Sequence, residues 1–138
     1  MADILQSVRG YMLNKTTITS VVSQRIYFVR RPQKSSVPSV TLFKSSEDHS
    51  HKLSARSGIV WTRIQVECFS TLYVTSAALA EAICKCGIDT LRGVTGDVDI
   101  RGVQVEDGRR DYTIDDPEGG DDHIYVSQFD LRVCYSES

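Results

Sequence analysis

Residues 59 to 70 read IVWTRIQVECFS, with Val60, Ile64, Val66 and Cys68 on one parity and Arg63, Gln65 and Glu67 on the other. Successive side chains of a strand point to opposite faces, so this alternation predicts a long strand with one buried and one wetter face. Trp61 and Phe69 stand at the two ends of the polar row, where they either cap a sheet edge and cover a helix end or mark an interface. The last segment, IYVSQFDLRVCY, alternates in the same way. Phe129, Leu131, Val133 and Tyr135 fall on one face, and Gln128, Asp130 and Arg132 on the other, as expected of a central or near-central strand.

Helical spacing appears twice. Ile4, Leu5, Val8, Tyr11 and Met12 predict an amphipathic helix over residues 2 to 14, with Asp3 in its first turn, where a carboxylate meets the positive end of the helix dipole. Leu79, Ile83 and Cys86, flanked by Ala78 and Ala82, predict a second helix that Thr75 or a nearby Ser or Thr could cap. Gly87 marks either its end or a point it passes on the way to Leu91. A short turn-like or helical piece is expected around Thr17 to Val22. Two short strands follow, in RIYFVR and PSVTLFK, punctuated by Pro32 and Pro38. DVDIRGVQVEDG reads as a strand carrying Val103 and Val105 on one side and a glycine that could mark a bulge.

Two polar stretches separate these pieces. KSSEDHSHKLSARSG, residues 44 to 58, is expected to be a surface loop or an extended arm. RRDYTIDDPEGGDDH concentrates Asp111, Asp115, Asp116, Glu118, Asp121 and Asp122 around two glycines, so residues 106 to 123 read as one long irregular loop. Residues 1 to 138 are expected to form a single α+β domain. Its core would be a mostly antiparallel four- to five-stranded sheet, with two main helices packed on one face, the other face free, and long polar loops.

Composition narrows the function. A chain of 138 residues can bury roughly two-thirds of its unfolded surface in one core without staples. Sixteen Lys and Arg against eighteen Asp and Glu leave a net charge of −2, too little positive field for a dedicated nucleic-acid binder. No apolar run reaches the roughly 18 residues of a membrane span, and MADILQSVRGYML has no secretory-signal pattern, so a cytoplasmic protein is expected. In that compartment Cys68, Cys84, Cys86 and Cys134 would stay reduced and act as small core fillers.

Candidate chemistry is sparse. Cys84 and Cys86, two apart on a helix, point about 200° apart and cannot share a metal without unwinding. His49 and His51 could meet a transition metal from an extended segment, although solvated histidines are the plainer reading. The acidic run lacks the D-x-D-x-D-G order of an EF-hand, and no G-x-S-x-G, phosphate-cradling glycine loop or H-E-x-x-H occurs. The expectation is a protein without catalytic residues, metal or cofactor. Interface residues are sought instead at Trp61, Arg63, Gln65, Glu67 and Phe69, because aromatics and Arg are enriched at interfaces, and at Asp115, Asp116, Glu118, Asp121 and Asp122 of the acidic loop. An alternative is a small cytoplasmic α+β ligand-binding module or enzyme subunit using the open sheet face.

The order of these pieces carries a resemblance. A helix ending near Asn14, TTITSVVSQRIY, VPSVTLF, a polar loop, WTRIQVECFS, VTSAALAEAICKCGIDTLRG and a closing YVSQFDLRVCY resemble the tail completion proteins of long-tailed bacteriophages, the tail terminator or head-tail joining family. The match is one of element order and hydrophobic pattern over nearly the whole chain. It implies a structural virion protein that assembles in the host cytoplasm as a ring, usually a hexamer, at the head-proximal end of the tail tube. Such a ring ends tube polymerisation and contacts the major tail tube protein and the head completion or connector protein. DNA would pass through its channel without specific binding, and no membrane is involved. On this reading Trp61 and Phe69 bracket a polar row that docks on a neighbouring subunit or tube ring.

Overall fold

The computed structural model describes residues 4–29, 37–51, 56–95, 98–106, 108–115 and 123–137; the side chains of residues 48–51, 56–58, 89, 95, 115 and 137 lie outside the described set. In chain order the elements are α1 (Ile4–Leu13), α2 (Thr16–Val22), β1 (Ile26–Phe28), β2 (Ser39–His51), β3 (Arg56–Ser70) and α3 (Tyr73–Lys85). A 3₁₀ turn (Ile88–Thr90), β4 (Gly93–Thr95), β5 (Val98–Val105), β6 (Arg110–Asp115) and β7 (His123–Glu137) complete them.

The α+β class holds, but the sheet is larger than the alternation suggested and it is mixed. Among the described residues seven strands join in the order β1-β2-β3-β7-β5-β4, with β6 also paired to β7. β1 runs parallel to β2, and every other pairing is antiparallel. A third helix, α2, stands beside the two main ones. β4 has only three residues, too few for a periodic signal.

Both polar stretches read as loops contain strand. β2 continues to His51 and β3 begins at Arg56, with the register running from Ser39↔Phe69 to His51↔Arg56, so residues 44–51 and 56–58 belong to paired strands. That is the extended arm of the two alternatives. In the acidic segment residues 110–115 are β6, paired from Arg110↔Gln128 to Asp115↔His123. Because β3 occupies one edge of β7, β5 and β6 must share the other and follow each other along it. From Val105↔Leu131 to Arg110↔Gln128 one strand advances five residues and β7 three, so the chain bulges out between them. Ladder hydrogen bonds to β7 override the weak local preference of these polar residues, since β-propensity depends on cross-strand context. A second irregularity at Ile100/Gly102 is the bulge the glycine announced.

One face of the sheet carries the core. Val60, Ile64, Val66 and Cys68 of β3 join Phe129, Leu131, Val133 and Tyr135 of β7 under the helices, as the two alternations required. α3 lies over β3 and β7, and α1 over β2. In α3 the buried stripe is Ser76, Leu79, Ala80 and Ile83; Ala78 is exposed, and Ala80 takes the core place expected of its neighbours. Thr75 does not cap this helix. It starts at Tyr73 after Leu72, whose N–H donates to Ser70 Oγ (3.2 Å), while Ser76 Oγ donates to the Tyr73 carbonyl (3.0 Å). Gly87 ends the helix at φ 92°, and an added Cβ would lie 3.1 Å from the Tyr11 hydroxyl, which donates to the Gly87 carbonyl (2.8 Å).

Candidate functional site

The sheet face turned away from the helices is where the sequence placed its interface residues, and the register now supplies their neighbours. Arg63 of β3 lies opposite Arg132 of β7, Gln65 opposite Asp130, Glu67 opposite Gln128, Phe69 opposite Val126, and Trp61 opposite Cys134. On the other flank Ser46, Phe43, Thr41 and Ser39 of β2 oppose Arg63, Gln65, Glu67 and Phe69. Asp48, opposite Trp61, is among the residues whose side chains lie outside the described set.

The two aromatics have different surroundings. Phe69 is 7% exposed and belongs to a small second apolar cluster with Ile124 and Val126, against which Val37 and Ile114 pack. It therefore seals that end of the face and offers no open ring. Trp61 is 39% exposed. The guanidinium of Arg132 stacks over its ring at 4.6 Å from the centroid, inside the range in which a cation is attracted to the ring quadrupole.

Between these ends the polar row is internally paired. Arg63 Nη2 reaches both carboxylate oxygens of Glu106 (3.1 and 3.3 Å) from the bulge after β5. Gln65 Nε2 donates to one oxygen of Glu67 (3.2 Å) and the Tyr112 hydroxyl to the other (3.1 Å). Burial, and after it the charge and hydrogen bond of Glu67, push the Tyr112 hydroxyl up to about 12. Arg110 Nη2 donates to Gln128 Oε1 (3.2 Å). Asp130 Oδ1 is buried and has no partner among the described residues. Ser46, Trp61, Thr62, Arg63 and Arg132 line a shallow depression at the Trp61 end.

The acidic residues group separately. Asp115 is the last residue of β6 and pairs through its backbone with His123, which puts the ends of the acidic run at the tip of the β6–β7 hairpin. The Asp115 side chain and Asp116, Glu118, Asp121 and Asp122 lie outside the described residues, as do the His49 and His51 side chains. The cysteines are all free thiols. Burial raises Cys68, Cys84 and Cys134, which favours the unreactive protonated thiol. Cys86 Sγ donates to the Ile83 carbonyl (3.0 Å). Among the described residues no three His, Cys, Asp or Glu side chains gather in a metal-holding group.

Sequence reading identified Trp61, Arg63, Gln65 and Glu67 as one row but not the partners that complete it: Arg132, Glu106, Tyr112 and Arg110. Alternation did assign Arg132 to the polar face of its strand. What pairs it with Arg63 is a register between segments about 70 residues apart, and no local pattern encodes that.

By sequence, the chain matches no protein-family description and no curated protein. In three dimensions it is similar to a chain from the virion of a native gene transfer agent particle, with a TM-score of 0.66 and 14% identity over 96% of this chain and 94% of that one. At that identity the likeness shows a shared fold.

Proposed function

We propose that this chain is a structural component of a phage-like virion, acting without catalysis as the ring that completes a tail. It assembles as a closed ring, a hexamer, at the head-proximal end of the tail tube. There it stops tube polymerisation and joins the major tail tube protein to the head completion or connector protein. The single observation that carries this reading is the end-to-end fold likeness to a chain of a gene transfer agent virion, which adds to the resemblance in element order.

The sheet architecture supports it. β1 and β4 lie at opposite ends of the strand order, so the two ends of the sheet are different surfaces. A ring requires that kind of heterologous contact, one patch on a different patch of the next copy. The net charge of −2 suits a channel through which DNA slides without sticking.

The decisive experiment is the mass of the purified protein in solution, followed by its addition to growing tail tubes. The reading expects a ring of discrete mass, tubes of fixed length, and tails competent to join heads. A monomer at all concentrations that leaves tube growth and head joining unchanged would overturn it.

A further inference from the structure

Two arginines face each other across β3 and β7, at Arg63 and Arg132, and among the described residues only Arg63 has a carboxylate partner. Like charges directly opposite on a sheet destabilise it unless an anion intervenes. Glu106 answers Arg63. Arg132 is exposed, and among the described residues its guanidinium donates no hydrogen bond and forms no ion pair; its contact there is the stack on Trp61. A contact through the ring face takes up none of the guanidinium's N–H donors, so they are available to a carboxylate. An exposed Trp beside an Arg that has no ion pair among the described residues, in a shallow depression, also has the composition of a binding hot spot.

The chain holds a ligand of matching chemistry. Residues 115 to 122 carry five carboxylates in eight positions, Asp115, Asp116, Glu118, Asp121 and Asp122. That run cannot serve its own Arg132. Along β7, from His123 at the hairpin tip to Arg132, the chain advances nine residues, roughly 30 Å at strand rise. The seven residues 116 to 122 must go out and return, so they reach at most about 12 Å from the tip. A second copy has no such limit.

We infer that the Trp61–Arg132–Arg63 depression is a carboxylate-binding site whose occupant is the acidic β6–β7 hairpin tip of a second copy of this chain. The contact is heterologous, tip onto patch, and so rests on the ring reading above and deepens it by naming the residues that join adjacent subunits.

Trp61 is the sole tryptophan of the chain, so its fluorescence reports this site directly. The test titrates a capped peptide of residues 114 to 122, IDDPEGGDD, into the full-length protein. The expected result is a saturable fluorescence change that weakens as salt rises from about 0.01 to about 1 M, over which the screening length falls from about 30 to about 3 Å. Binding should weaken about tenfold or more in Arg132→Gln, the loss of roughly one charge-assisted contact, with Arg132→Lys in between. The same peptide with Asn and Gln in place of its acids should not bind. Equal binding of the neutral peptide, an unchanged affinity in Arg132→Gln, or a fluorescence response to a short DNA duplex in place of the peptide would each overturn the inference. Peptide binding by a protein that stays monomeric would keep the site and reject the ring, whereas rings without peptide binding would keep the ring and reject the site.

Discussion

Tyr112 shows how one side chain ties an interrupted strand to the centre of the sheet. Its hydroxyl donates to Glu67 two strands away, and partial burial, with that carboxylate second, pushes the phenolic hydroxyl up to about 12. The folded value lies above the ordinary one near 10, so the folded state binds this proton more tightly than the unfolded chain does. The stability linked to it is therefore complete below about pH 10 and is lost as the pH climbs through about 12. Tyr112→Phe removes that dependence. Denaturant titrations of both proteins from pH 8 to 12 should show wild type falling toward the variant across that window, and a constant difference would show that Glu67 does not guard the proton. With Tyr112 38% exposed, the cost of the substitution at neutral pH should stay below about 1 kcal/mol.

The hairpins are the elements in which local sequence and final structure diverge most. Residues 44–51 and 110–115 are polar and lack a clean two-residue period, yet each lies on a neighbouring strand for its whole length. Their stability comes from ladder hydrogen bonds and from apolar anchors on the same strands: Leu42 is fully buried at the inner part of β2, and Ile114, next to the last pairing of β6, packs on the second apolar cluster. Among the described residues the last pairing of this ladder is Asp115↔His123, and the acidic run follows it in sequence. Replacing residues 116–122 with a Gly-Ser linker of equal length should leave the melting temperature within a few degrees of wild type, as surface changes do. Tail completion or head joining, scored separately, should fail. A variant that melts early, or that completes tails normally, would remove the tip from the assembly role.

At the scale of the whole molecule β7 is the hub, pairing with β3 on one edge and with β5 and β6 on the other while α3 crosses it. Leu79 of α3 and Leu131 of β7 are almost wholly buried in the one large cluster beneath the helices. Leu79→Ala and Leu131→Ala should each cost about 2 to 5 kcal/mol, the range for large-to-small changes in a packed core. Because both residues belong to one core, Trp61 fluorescence and far-UV circular dichroism should report the same single transition for each variant. Losses below about 0.5 kcal/mol in both would mean that neither residue holds the core place assigned to it.

The sequence by itself determined the faces. Alternation in β3 and β7 and the helical spacing of α1 and α3 decide which side chains can be buried together, because strand and helix periods are fixed by backbone geometry. It also determined the chemical character of the candidate surface: a Trp and an Arg on the open face and a concentrated run of carboxylates. Tertiary structure alone decided which of these residues meet. That Phe69 closes a small second core while Trp61 lies open depends on Ile124, Val126 and Ile114 arriving from the far end of the chain. That Arg132 faces Arg63, and that Glu106 attends only one of them, depends on strand register and on the bulge between β5 and β6. A shift of one residue would turn every one of these side chains to the other face, and what forbids the shift is the burial of the core face, a property of all the strands together.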